Sequence, residues 1–202
     1  MTIKAVFFDL FGVYLKYSIN EVSMGLIRHI LKDEKLREIV FDYERGKVPL
    51  NQVSELALIS HPALKHIDDW ETVKVEDIVD GVDENIERAV LLLKEHGYKV
   101  GIFCNNGYLT EAFKRSLIPD DVRIFDTVVE SCRIGYRKSD PESYHIAANA
   151  IGCQPNECVL VDDSQLNIDG ALREGMNGIY QKNEESKTAI DELERLLNCK
   201  LH

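Results

Sequence analysis

Four short stretches of this sequence carry side chains that could do chemistry together. In FFDLFGV, residues 7–13, an apolar run delivers Asp9 and a glycine follows at once, a turn that exposes a carboxylate at a strand tip. In LVDDSQLNIDGA, residues 160–171, a second apolar run ends in Asp162 and Asp163. Adjacent carboxylates at a buried strand end repel each other and titrate high unless a cation is shared. An all-oxygen donor set selects a hard divalent ion such as magnesium. Lys138, in GYRKSDPESY (135–144), stands just before a helix start, where its ammonium can offset clustered carboxylates or hold a phosphate as a point charge. IFCNNG, residues 102–107, is a strand followed by polar and glycine residues whose backbone amides can form an anion-binding turn.

Each stretch alone has an ordinary reading. Asp9 can simply form a turn, Asp162 and Asp163 can be solvated turn carboxylates with Ser164 capping the next helix, Lys138 can be a surface lysine, and Asn-Gly can be a plain turn. Their positions on the elements distinguish the two cases. Short apolar runs rich in Val, Ile and Phe lie at about 3–8, 98–103, 126–129, 157–161 and 177–180, most of them separated by helical periodicity. That alternation predicts a parallel α/β sheet, and all four stretches fall at the carboxyl ends of its strands or in the loops leading to helices, where one crevice collects them. The spacing predicts a helix over 83–96, with Asp83 as cap, Ile86, Ala89, Val90 and Leu93 on one face and Gly97 at the end. Asp140-Pro141 reads as N-cap and first residue of another helix, Leu166–Glu174 as a third ending at Gly175, and 186–197 as a fourth.

Between residues 14 and 82 no convincing strand stands out, and apolar-periodic segments run in succession at roughly 19–32, 34–45 and 50–59. Turn signals fall at Gly46, Pro49 and His61-Pro62. A helical insertion directly after strand one would sit above the carboxyl ends of the strands, where ligands of an open sheet bind.

In that order, a strand-end carboxylate, a polar strand end, a loop lysine and paired acids, with a helical insertion after the first, resemble the four ordered motifs of the haloacid dehalogenase superfamily. KSDPESY followed by LVDDSQLNIDGALREGMNGI is close to the KPDP and DDxxxNxxGAxxxG patterns of its phosphatase-like branches. FDYERGKVPLNQVSEL is similar to cap segments of the branch that holds the glucose-1-phosphate phosphatases and the N-terminal domain of soluble epoxide hydrolases. The resemblance implies a Rossmann-like three-layer α/β/α core with a parallel sheet of about five strands, formed by residues 1–13 and 83–202, and a small helical cap at 14–82. It implies a magnesium-dependent phosphomonoesterase in which Asp9 attacks a phosphoryl group to give an aspartyl-phosphate that water then hydrolyses. Magnesium would be held by Asp9, the backbone carbonyl of Phe11, Asp163 and Asp162. Cys104 and Asn105 would contact the phosphate, and Lys138 would neutralise charge on nucleophile and phosphoryl group.

Two positions depart from the family pattern. The phosphatases usually carry a second aspartate two residues after the nucleophile, to protonate the leaving oxygen and activate water, and here that position is Phe11. General acid–base help is worth on the order of 10²–10⁴ in rate, so slow turnover is expected. Cys104 stands where Ser or Thr is usual, and a thiol is a weak donor. A non-catalytic binding protein, or a 2-haloacid dehalogenase, would also tolerate Phe11, although dehalogenases usually replace the paired acids.

The bulk properties narrow the partners. A formal charge of -11 over 202 residues repels nucleic acid and anionic membranes at long range, while a small phosphorylated metabolite remains compatible because a local cation can reverse the field in a cleft. The N-terminal MTIKAVFFDLFGV has no basic leader and its apolar run is broken by Asp9. Five cysteines without CxxC pairing suggest free thiols, and together these features predict a cytoplasmic protein, monomer or homodimer.

Overall fold

The computed structural model describes residues 2–17, 33–53, 72, 74–75, 79–119, 122–182 and 185–201. Its centre is β1 (Ala5–Phe8), a run of four apolar residues with no exposed surface. A strand buried on both faces belongs inside a parallel sheet rather than at an edge. β1 indeed pairs in parallel with β4 (Lys99–Cys104) on one side and β6 (Cys158–Asp162) on the other. β5 (Thr127–Glu130) and β7 (Asn177–Tyr180) complete the order β5-β4-β1-β6-β7. All five strands run the same way, so their carboxyl ends share one edge.

Side-chain alternation divides the core into two layers. Val6, Phe8, Val100, Ile102, Val159 and Val161 face one cluster, where α2 (Glu84–Glu95) presents Ile86, Ala89, Val90 and Leu93 and α6 (Ser186–Leu197) presents Ala189, Ile190 and Leu193. Ala5, Phe7, Phe103 and Leu160 face the other, covered by Tyr144, Ala147 and Ala148 of α4 (Pro141–Ala150) and Ile168 and Ala171 of α5 (Gln165–Arg173). The three-layer α/β/α core is therefore as expected, as is the capping of α2, where Asp83 accepts from the N–H groups of Asn85 and Ile86. One close approach is built in: a Cβ at Gly101 would lie 2.6 Å from the Phe7 ring. No helix among the described residues is long and apolar enough to cross a membrane.

The stretch between residues 14 and 82 corrects the sequence reading. Its described residues include two strands, β2 (Leu15–Tyr17) and β3 (Val79–Val82), which pair antiparallel. Runs of three and four residues are too short to show period-two alternation, and Asp80 and Gly81 interrupt the apolar signal in β3. Tyr14 is core, meeting Phe125 edge-on at 4.9 Å. Of the expected helices, 34–45 is present as α1 (Glu34–Glu44), and the segment from residue 50 is helical through residue 53. The helix expected at 19–32, the remainder of 50–59, Trp70 and the side chain of Tyr17 lie outside the described residues. Asp140 holds the N-cap position of α4 and Pro141 its first residue, as expected, although the Asp140 carboxylate makes no cap bond. Ser164, at the N-cap of α5, makes none either.

Candidate active site

The sheet edge gathers the strand-end residues. Asp9 follows β1, and its N–H donates to the Val161 carbonyl at 2.9 Å, which binds it to the strand that ends in Asp162. The chain then turns sharply through Gly12 (φ 78°), with the N–H groups of Tyr14 and Leu15 donating back to the carbonyls of Asp9 and Leu10. Such a turn needs a left-handed residue, which glycine supplies without strain. The Asp9 carboxylate is anchored through Oδ1, which accepts from Leu10 N–H at 2.7 Å.

Lys138 reaches this point from the loop before α4 (Pro141–Ala150). Its side chain is wholly buried, with Nζ 2.7 Å from Asp9 Oδ1 and 2.5 Å from Asp162 Oδ2. It is no surface lysine. Burial alone would lower its pKa, but Asp162 and Asp9 raise it and keep it cationic. Carboxylate oxygens of Asp9, Asp162 and Asp163 lie within 4.8 Å of one another. Three acids therefore share one ammonium. Burial, and then repulsion from Asp162 and Asp163, push Asp9 well above the usual carboxylate range against the pull of Lys138. Burial and the Asp162 charge push Asp163 up to about 6.

This donor set fits a magnesium ion. The donors are all hard oxygens, and if all three acids ionise, three negative charges face one positive charge, a deficit that a divalent cation removes.

The phosphate-type residues at the end of β4 divide. Asn105 is brought in, its Oδ1 accepting from Lys138 N–H at 2.6 Å. Cys104 is fully buried, and its thiol points to the Val129 carbonyl at 3.8 Å. Burial first, then the Asp9 charge, raises its pKa well above that of a free thiol, so it is not a thiolate nucleophile.

Several supporting residues escaped the sequence reading. Asp162 Oδ1 accepts from Asn167 Nδ2 at 2.9 Å and from Ser164 N–H at 2.8 Å. Tyr144 donates to the Asn167 carbonyl at 2.8 Å and accepts from Ser139 N–H at 3.0 Å. A Cβ at Gly170 would sit 2.2 Å from that tyrosine oxygen, which explains the glycine in α5. Gln181, buried after β7, donates to the Gly12 carbonyl at 3.0 Å and so braces the turn that follows Asp9. Tyr43, from α1, lies where a Cβ at Gly107 would come within 2.1 Å of its ring, closing the helix onto the turn after β4. Of these, Asn167 and Gly170 had a signal, as the asparagine and the glycine of DDSQLNIDGA.

A family model for haloacid dehalogenase-like hydrolases matches residues 3–175. Bifunctional epoxide hydrolase 2 of Sus scrofa is 31% identical over 118 residues, 56% of this chain and 21% of that protein. Pyrophosphatase PpaX of Bacillus cereus is 28% identical over 186 residues, 87% of this chain and 81% of that protein. The chain spans between 10% and 21% of the length of the mammalian relatives it matches. Among solved structures, an enzyme of the same family from Bacteroides thetaiotaomicron, in complex with magnesium and inorganic phosphate, superposes with a TM-score of 0.65 at 19% identity, covering 91% of this chain and 96% of that one.

Proposed function

The chain belongs to the haloacid dehalogenase-like hydrolase family, and from that membership we propose that it is a magnesium-dependent phosphomonoesterase acting on a small phosphorylated metabolite through an aspartyl-phosphate on Asp9. The observation that carries this reading is the buried Lys138 ammonium held between Asp9 and Asp162 at 2.7 and 2.5 Å, with Asp163 beside them. The phosphatase names among the relatives, such as the pyrophosphatase of Bacillus cereus, support the substrate class.

Asp9, the Phe11 carbonyl, Asp163 and Asp162 would hold the magnesium, which when bound supplies positive charge against the phosphoryl oxygens and the clustered acids. The Asp9 carboxylate oxygen attacks phosphorus, the ester P–O bond breaks, and the leaving oxygen takes a proton from solvent because Phe11 offers none. Water then cleaves the acyl phosphate and regenerates Asp9. Lys138 screens the charge of Asp9 as the phosphoryl group approaches. With its Oδ1 engaged by the Lys138 backbone N–H, Asn105 keeps its Nδ2 available to donate to a phosphate oxygen.

Residues 14–82 act as the cap, entered and left through the β2–β3 pair, and the core comprises 1–13 and 83–202. The five free cysteines are consistent with a reducing, cytoplasmic location, as monomer or homodimer. Dehalogenation is disfavoured because both Asp162 and Asp163 are retained beside Asp9. Hydrolysis of p-nitrophenyl phosphate with magnesium, by wild type and by Asp9→Asn, tests the proposal. Loss of activity in the variant is expected, and equal rates in two folded proteins would overturn it.

A further inference from the structure

Lys138 is flanked by a backbone that does not favour its own conformation. Ser139 has φ +94°, a region that L-residues rarely enter, and such residues persist only where their surroundings over-determine them. Besides the bonds of the Lys138 ammonium to Asp9 and Asp162, the core contributes two bonds to the backbone of this loop, from Lys138 N–H to Asn105 and from Ser139 N–H to Tyr144. Further constraints come from the end of α1 (Glu34–Glu44), in the insertion. Arg137 Nε donates to Glu44 at 2.5 Å, and the Arg137 guanidinium stacks 3.9 Å over the Phe41 ring. Arg45 grips Asp140 with both arms of its fork, at 3.0 and 2.8 Å. Asp140 in turn accepts from Arg137 N–H at 3.0 Å, so the two ion pairs are joined through the loop itself.

All of these α1 contacts fall on the residues one before and two after Lys138, and the ion-paired side chains are only 15–25% exposed. This explains why the Asp140 carboxylate leaves its cap position unfilled: it is taken by Arg45. The end of α1 is itself seated tightly. Gly46 has φ +71°, and a Cβ there would meet the Cys132 carbonyl oxygen at 2.4 Å, so only glycine allows α1 to end close enough for Arg45 to reach Asp140.

We infer that Glu44 and Arg45 are positioning residues for the proposed phosphatase reaction: through Arg137 and Asp140 they lock the 137–140 loop and thereby set Lys138 between Asp9 and Asp162. The inference rests on the function proposed above, but its geometric content is independent of turnover. Bidentate Arg–carboxylate pairs fix orientation as well as distance, and Lys at position 45 would keep the charge while losing the fork.

The test uses the full chain with Arg45→Ala, Arg45→Lys and Glu44→Gln, each first confirmed as folded by circular dichroism. Reductive methylation of the native proteins, followed by mass spectrometry, reads the protection of Lys138 directly. Wild-type Lys138 should be protected, Arg45→Ala should label about tenfold faster or more, and Arg45→Lys and Glu44→Gln should fall between. With an aryl phosphate, Arg45→Ala should lose roughly 10- to 100-fold in kcat with KM nearly unchanged, the size expected from misplacing a catalytic group by about 1 Å. Wild-type protection of Lys138 in both Arg45→Ala and Glu44→Gln would overturn the inference. Altered protection in a chain with no phosphatase activity would leave the latch standing and remove the reaction instead.

Discussion

Lys138→Met replaces a fully buried ammonium by an apolar side chain of similar length, so it leaves little cavity and isolates the electrostatic effect. In its absence Asp162, wholly buried, and Asp9, 8% exposed, lose the cation they share. Removing one partner of a buried ion pair costs about 3–5 kcal/mol because the other charge stays buried. Here two carboxylates are orphaned, but Asp162 keeps its bonds from Ser164 and Asn167 and Asp9 keeps that from Leu10, so the middle of that range, about 4 kcal/mol, is expected. A domain has roughly 5–15 kcal/mol in all, so this is a large fraction. Urea unfolding at pH 7 with a chelator present should show the variant's midpoint lowered by about 1 M or more. The deficit should shrink as pH falls toward 5, because Asp9 and Asp163 both titrate high in the folded state and protonation removes the repulsion. Magnesium should restore more stability to the variant than to wild type, since the variant's site carries one more uncompensated negative charge. A midpoint within about 0.3 M of wild type in chelator would refute the ledger of charges on which the site rests.

Asp163→Asn should stabilise the metal-free protein at pH 7. The folded pKa of Asp163 is raised from 3.8 to about 6, so the folded chain holds the extra proton between those values. Stability therefore falls as pH rises through that window, and the cost persists above it. A shift of this size, discounted for the partial exposure of Asp163, corresponds to about 2 kcal/mol, so the variant's advantage in thermal unfolding should be present at pH 7 and gone near pH 4. Phe11→Asp should raise the rate on an alkyl phosphate by about 10²–10⁴ and the rate on p-nitrophenyl phosphate much less, because only the poor leaving group needs a proton. Unchanged rates on both esters would remove Phe11 as the cause of slow turnover.

The sheet was legible because its central strands are apolar runs bounded by polar residues. The expected runs at 98–103, 157–161 and 177–180 match β4, β6 and β7 to within a residue. Asp9, Lys138, Asp162 and Asp163 were legible for a related reason: a strand end places them at a known edge, so the order of four local motifs was enough to bring them together. β2 and β3 were not legible because three- and four-residue strands carry almost no periodic signal, and they pair across more than sixty residues of sequence. The N-cap position of Asp140 was legible, but the partner of its carboxylate was not, for a different physical reason. Asp before Pro is a sound local cap signal, but a cap bond to the helix's own amides competes here with a bidentate guanidinium from 95 residues away. A bidentate pair of two charged groups is stronger than a carboxylate's single bond to a backbone N–H, and no local pattern reveals which partner will arrive.

Gln181, Glu44 and Arg45, which sequence reading missed, share one property: they act on the reactive groups through another residue, over long sequence separations. Gln181 acts on Gly12 from 169 residues away, and Arg45 acts on Asp140 from 95. Their presence follows from the electrostatics of the site. Three acids and one ammonium in a buried cluster favour a relaxed arrangement in which carboxylates separate or protonate, and binding a cation requires the opposite. A scaffold must therefore supply the stiffness that the charges themselves oppose. The Asp9 turn is held by Gln181, Asp162 by Asn167 and Ser164, and the Lys138 loop by Tyr144 and α1. Substituting these braces should change how well the cluster holds its geometry before it changes overall stability, because each restrains a strained or repulsive element while burying little apolar surface of its own. That ordering separates a preorganised reactive centre from an incidental group of acids, in which the same substitutions would leave the protection of Lys138 untouched.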